Sequence, residues 1–254
     1  MFYKTNPPFF RIFLNRPETL NALNYDILKS ILEATESAKR SDARFVLIES
    51  FERRAFVAGA DVKYFSSLEN ESLRQYLMFG KRVFDAISNL PQLTFAIVDG
   101  YCLGGGFELA LAADFILSTS KSKFGFPEST LGLIPGFSGL ARSVQKFGYQ
   151  IAKRLILSGQ ILDFESAKKL NLIDFEISDA TFETTSKLII ETFGKTSPSA
   201  VKTTKKIFTD IMRAEKCNFD YQESESFIDC FESDEGREGI KAFLEKRKSK
   251  FNIS

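Results

Sequence analysis

Two glutamates occupy positions where a carboxylate can do more than face solvent. Glu108 follows three consecutive glycines, Gly104 to Gly106, inside the apolar run LTFAIVDGYCLGGGFELALAADFIL (Leu93 to Leu117). Glu128 lies twenty residues further on, behind Pro127 in FGFPESTLGLIPGFSG (Phe124 to Gly139). A strand that passes through glycine into a helix start exposes unpaired N–H groups beside the positive end of the helix dipole. With no Cβ in the way, a ligand atom can approach that backbone closely. Such a site suits a phosphate or the oxyanion of an activated carbonyl. The run ends Gly-Phe-Glu rather than Gly-Lys-Ser/Thr, no G-x-G-x-x-G is present, and a carboxylate repels phosphate, so the carbonyl oxyanion fits better. Two carboxylates near one oxyanion form an acid/base couple whose proton affinities are separated by burial and mutual repulsion. Read locally, a close-packed strand–helix turn with Glu108 complementing the dipole, and a solvated loop acid at Glu128, explain the same residues. A second glycine loop, FVAGADVKYF (Phe56 to Phe65), offers a further backbone donor at Ala58.

The composition narrows the chemistry. Histidine is absent from all 254 residues, which removes Ser-His-Asp triads, Cys-His pairs, His-ligated zinc and imidazole acid/base work. Proton transfer therefore falls to carboxylates, Lys, Tyr or Cys. The 34 basic residues nearly balance 33 acidic ones, which argues against a broad nucleic-acid-binding surface. Lys202, Lys205 and Lys206 form only a small basic cluster. Cys102, Cys217 and Cys230 make neither a paired framework nor a C-x-x-C spacing, and no cleavable leader follows Met1, so a reducing cytoplasm is the expectation. No apolar run approaches the ~20 residues that span a bilayer, so no membrane partner is expected.

The elements that must carry these residues alternate. FFRIFLN (Phe9 to Asn15) reads as a strand, and Asn24 as the cap of a helix with Ile27, Leu28, Ile31 and Leu32 on one face. RFVLIES (Arg44 to Ser50) is a buried strand, and Leu73 to Asn89 an amphipathic helix stopped ahead of Pro91. A strand at Leu93 to Val98, a helix from about Gly106 to Ala113 and a strand at Phe115 to Ser118 complete an α/β pattern with largely parallel strands. From Ser197-Pro198, a cap followed by proline, only helical periodicity remains. The division falls near residue 195: an α/β core over 1–194 and a helical region over 195–254.

The collinear motifs NRPETLNALN (Asn15 to Asn24), FVAGADVK, DGYCLGGGFELALAAD, FGFPESTLGLIPG and EGIKAFLEKRKSKF (Glu238 to Phe251) resemble the crotonase superfamily, most closely the enoyl-CoA hydratases. The resemblance covers nearly the whole chain. It implies a crotonase-like spiral of ββα units with a helical C-terminal region that takes part in oligomerisation and closes the CoA site, in a homotrimer or dimer of trimers. It further implies that Ala58 and Gly105 donate the oxyanion-hole amides to a thioester oxygen. Glu108 would handle the attacking water and Glu128 the proton at C2, the retained pair favouring hydration over the related isomerisation, which relies on the carboxylate at the Glu128 position. The Ala58, Gly59, Ala60 and Asp61 run, with Gly104, Gly136, Phe243 and Lys246, would line the acyl-CoA channel, Lys246 as a point-charge partner for a CoA phosphate. No metal or separate cofactor is implied, since coenzyme A arrives with the substrate. A non-catalytic acyl-CoA-binding protein is the reading from another class.

Two departures from the family pattern fall near the expected acyl group. Phe126 stands where many hydratases carry Gln before Pro-Glu. Phe137-Ser138-Gly139-Leu140 replaces the common Ala-Gly-Gly-Thr after IPG. Both are expected to narrow or reshape the acyl pocket or to shift Glu128.

Overall fold

The computed structural model describes residues 2–216 and 219–250, and side chains outside 211–222. Ten strands are present among them: β1 (Phe2–Asn6), β2 (Phe9–Leu14), β3 (Phe45–Ser50), β4 (Ala55–Val57), β5 (Leu93–Val98), β6 (Tyr101–Leu103), β7 (Phe115–Ser118), β8 (Lys123–Gly125), β9 (Ile161–Asp163) and β10 (Phe175–Glu176). The helices of the first half are α1 (Tyr25–Lys39), α2 (Val62–Phe65), α3 (Asn70–Ser88) and α4 (Gly105–Ala112). They are followed by α5 (Gly139–Phe147), α6 (Tyr149–Ser158), α7 (Phe164–Lys169) and α8 (Phe182–Phe193). The C-terminal helices are α9 (Pro198–Lys216), α10 (Phe219–Glu232) and α11 (Asp234–Leu244).

The strands form two sheets. The larger runs β1-β2-β3-β5-β7-β10, parallel except for the antiparallel β1/β2 pair. The smaller runs β4-β6-β8-β9, parallel except at β8/β9. The largely parallel strands are those expected from the alternating pattern, and the wound ββα arrangement is the one the family resemblance implies. β3 and β5 are largely apolar and buried along nearly their whole length because both faces of the large sheet are covered. Alternate residues separate accordingly. Val46, Ile48, Ala96 and Val98 join the main core beneath α1, α3 and α4, while Phe45, Leu47, Phe95 and Ile97 join a second cluster that includes Ile189 of α8.

Local signals act where the sequence puts them. Asn24 Oδ1 accepts from the Ile27 N–H at 3.0 Å and caps α1. Ser197 precedes Pro198 at the start of α9. α10 packs on α3 and on α11. Lys205 of α9 is not part of a free basic patch, because its Nζ binds Asp114 at 2.6 Å and the Gln92 carbonyl at 2.5 Å. Among the described residues no helix is long and apolar enough to cross a membrane. Cys217 and Phe251 lie outside the described residues.

Candidate active site

The strand β6 runs through Gly104 directly into α4, and each of the three glycines serves a different need. Gly104, the residue before the helix, adopts φ +48°, and a Cβ there would stand 2.7 Å from Glu128 Oε1. A Cβ on Gly106 would fall 2.2 Å from the Val57 carbonyl, so glycine lets α4 press against β4. A Cβ on Gly105 would meet the Ala60 nitrogen at 3.3 Å. That last contact locates a second backbone donor beside the first helical N–H, which a helix cannot itself satisfy.

The donor opposite Gly105 is the amide of Ala60, which corrects the expectation for Ala58. The Ala58 N–H already donates to the Leu20 carbonyl at 3.0 Å. Two residues later the loop makes a parallel bridge to Leu23, using the Gly59 carbonyl (2.9 Å) and the Asp61 N–H (2.8 Å). The intervening Ala60 amide turns the other way, toward Gly105, because successive peptide groups of an extended chain point to opposite sides. Tyr76 secures the arrangement from α3, its hydroxyl donating to the Leu23 carbonyl at 2.7 Å.

Glu108 lies in the first turn of α4 and is buried. Its Oε1 accepts from the Phe137 N–H at 2.7 Å and the Gly139 N–H at 2.6 Å. Burial pushes its proton affinity well above the ordinary carboxylate range, reinforced by the neighbouring charges of Glu128 and Glu223, while the two amide bonds pull it back. Glu128 sits on the short 3-10 turn Pro127–Leu131 that proline initiates. Its Oε2 is shielded from solvent and has no hydrogen-bond partner among the described residues. Burial, with Glu223 adding repulsion, lifts its pKa to about 8. The two carboxylates thus differ: one has its charged form supported by two amides, the other has an oxygen poised for a proton or a ligand.

Both acids and both amides border one cavity of about 110 Å³. Ala58, Gly59, Gly104, Gly136 and Phe243 also line it, the exposed Phe243 reaching in from α11. Asp61 and Lys246 are not among its lining residues. The Asp61 carboxylate accepts from Tyr64 N–H at 3.1 Å to cap α2 and pairs with Arg16 at 2.8 Å, so its work is structural. Lys246 is exposed, at φ +55° just beyond α11. Of the two expected pocket changes, only one touches the cavity. Phe126 is buried in the core, stacked on Phe107 at 4.9 Å, whereas Phe137 forms part of the cavity wall.

Two further side chains that the motifs do not single out shape the site. Glu223 of α10 is buried and accepts from the Ser138 N–H at 2.6 Å and the Leu140 N–H at 3.2 Å, with Lys81 of α3 at 3.2 Å as its ion-pair partner. Asn21 is buried at φ +59°, its Nδ2 donating to Ser50 and to the Ala55 and Phe56 carbonyls and its Oδ1 accepting from the Arg16 N–H. A polar residue inside an apolar stretch was the available signal for Asn21; Glu223, in an acidic helix, carried none.

The family model described as enoyl-CoA hydratase/isomerase matches residues 6–253. The short-chain-enoyl-CoA hydratase of Clostridium acetobutylicum is 33% identical over 93% of this chain and 91% of its own. The crotonyl-CoA hydratase of Syntrophomonas wolfei is 32% identical over 94% of this chain and 93% of its own. Among solved structures, the carnitinyl-CoA hydratase of Mycobacterium avium superposes with a TM-score of 0.86 at 28% identity, covering 100% of this chain and 98% of that one.

Proposed function

This chain belongs to the enoyl-CoA hydratase/isomerase family, and from that premise we propose that it adds water reversibly to a trans-2-enoyl-CoA, giving the 3-hydroxyacyl-CoA. The observation that carries the reading is the convergence of Glu108, Glu128 and the Ala60 and Gly105 amides on one cavity.

In this reading the thioester oxygen lies between the Ala60 and Gly105 N–H groups, and α4 directs its positive end at the same point. The amides strengthen their hold as the carbonyl gains enolate character. Glu108, in the state where the pair's remaining proton resides on Glu128, takes a proton from water as the oxygen attacks C3, and the two amides at its Oε1 favour that distribution. Glu128, protonated at neutral pH, gives its proton to C2. One water is consumed, its hydroxyl on C3 and a proton on C2. The proton left on Glu108 must pass to Glu128 before the next turnover, which suits two coupled carboxylates sharing protons. The exposed apolar residues Ile207, Phe208 and Leu244 support assembly into the trimer or dimer of trimers expected from the resemblance, which sedimentation would read directly.

Mixing the protein with crotonyl-CoA and following the conjugated-enoyl absorbance tests the reaction. Hydration removes that absorbance. A 3-enoyl-CoA converted faster than crotonyl-CoA is hydrated would replace hydration by isomerisation. Trace turnover unchanged by Glu128→Gln would point to a binding protein instead.

A further inference from the structure

Gly80 stands in the interior of the nineteen-residue helix α3, where glycine costs roughly 1 kcal/mol against alanine. Its φ is ordinary, so the position does not need glycine's freedom. It needs the space. A Cβ on Gly80 would lie 2.3 Å from Phe137 Cδ1 and 2.4 Å from Cε1. The opposite edge of the same ring, Cδ2 and Cε2, would be 3.2 Å from a Cβ on Gly105. Phe137 therefore stands edge-on between α3 and α4 with a glycine at each edge. It cannot easily withdraw, because it is 1% exposed and makes T-shaped contacts with Tyr76 at 5.3 Å and Phe84 at 5.5 Å.

We propose that the Phe137 ring, admitted by Gly80, is the end wall of the acyl cavity and restricts the substrate to short acyl thioesters. The identity of the substrate as an enoyl thioester rests on the hydration reading; the length limit rests on the ring. The ring borders the cavity that holds both carboxylates, and behind it lies α3 rather than solvent. A void of about 150 Å³ accepts the six carbons of benzene, so 110 Å³ holds about four. Each methylene beyond the wall must displace a ring wedged between two helices. Misfit of one methylene in an apolar pocket is worth roughly 10–200-fold. The main-chain N–H of Phe137 binds Glu108 whatever its side chain, so shortening the side chain changes the wall and keeps that bond.

The test is calorimetric binding of butanoyl-, hexanoyl- and decanoyl-CoA, which are saturated and cannot be hydrated, to the wild type, Phe137→Leu and Phe137→Ala. The wild type is expected to bind butanoyl-CoA at least roughly tenfold more tightly than decanoyl-CoA, with the ratio falling in Phe137→Leu and reversing in Phe137→Ala. Affinity rising steadily to decanoyl-CoA in the wild type would overturn the proposal. So would a length profile unchanged in Phe137→Leu, the variant that keeps most of the packing should Phe137→Ala not fold. A wild type that shows the expected binding profile yet leaves crotonyl-CoA unhydrated would uphold the wall and sink hydration, so the two failures are separable.

Discussion

Glu108 and Glu223 hold alternate amides of one four-residue segment: Glu108 takes the N–H groups of 137 and 139, and Glu223 those of 138 and 140. The acids come from α4 and α10, so the loop is clamped between the α/β core and the C-terminal helices. The clamp also holds Ser138 at φ +71°, a conformation that a serine does not favour. In the proposed reaction Glu223 acts through Glu108, and its charge raises the proton affinity of both Glu108 and Glu128.

Glu223→Ala is accordingly expected to lower kcat roughly 10–100-fold through misplacement of Glu108, with KM changing less. Glu223→Gln keeps an acceptor for the loop and should recover part of the rate. Removing the negative charge makes ionisation of Glu128 easier, so the alkaline limb of the kcat/KM profile should move to lower pH in Glu223→Gln. A merely structural role would lower stability without moving that limb.

Gly105→Ala tests the oxyanion site directly. The added methyl would sit 3.3 Å from the Ala60 nitrogen, where the proposed reaction puts the thioester oxygen. Its other neighbours, ring carbons of Phe137 at 3.2 Å, need to shift only slightly, so the fold should survive. The expected loss in kcat is roughly 10²–10³-fold, the usual effect of disabling one oxyanion donor. Circular dichroism and steady-state kinetics on the same preparation separate a blocked site from an unfolded one.

Much of this arrangement was legible because it follows from strong local signals. The largely apolar β3 and β5, the Asn24 cap and the proline at the start of α9 each specify their element alone. β1 and β6 were not, for opposite reasons. β1 is a largely exposed edge strand with polar residues at four of the positions FYKTN if tyrosine is counted, and β6 is only three residues long beside a glycine turn. Within the site, Glu108 and Glu128 stand out by glycine and proline beside them. The choice between Ala58 and Ala60 could not be made from AGAD, since it depends on which amide Leu20 consumes, a pairing across 38 positions of chain. Phe126 and Phe137 look alike as departures, and only packing shows one to be core and the other cavity wall.

The raised pKa of Glu128 links its proton to folding. An acid lifted from about 4.5 to about 8 binds its proton more tightly in the folded state than in the unfolded state. Its contribution is therefore fully present below pH 4.5 and is lost as pH rises toward 8. Glu128→Gln, which stays neutral, should melt at a higher temperature than the wild type at pH 8.5, and the gap should close on acidification. Turnover should fall roughly 10²–10⁴-fold in the same variant, because the group proposed to donate the C2 proton is gone. Equal melting temperatures across the pH range would mean that Glu128 is not neutralised by burial.

Asn21 offers a test of how the amide of Ala60 is positioned. Its side chain ties Arg16, Ser50 and the end of β4 together, and its left-handed backbone follows that of Leu20, at φ +53°, whose carbonyl accepts the Ala58 amide. Asn21→Ala loses both the side-chain bonds and the tolerance for positive φ, whereas Asn21→Gly loses only the bonds. Burying carbonyls and an amide without their partner costs about 1–3 kcal/mol. At about 2–4 °C per kcal/mol for a chain approaching this size, Asn21→Gly should melt several degrees below the wild type and Asn21→Ala lower still. Because the loop carrying Ala60 hangs from this node, kcat for crotonyl-CoA should fall in both variants well below their melting temperatures. Full activity in a destabilised Asn21→Gly would show that Tyr76 and the Leu23 bridge alone suffice to aim the Ala60 amide.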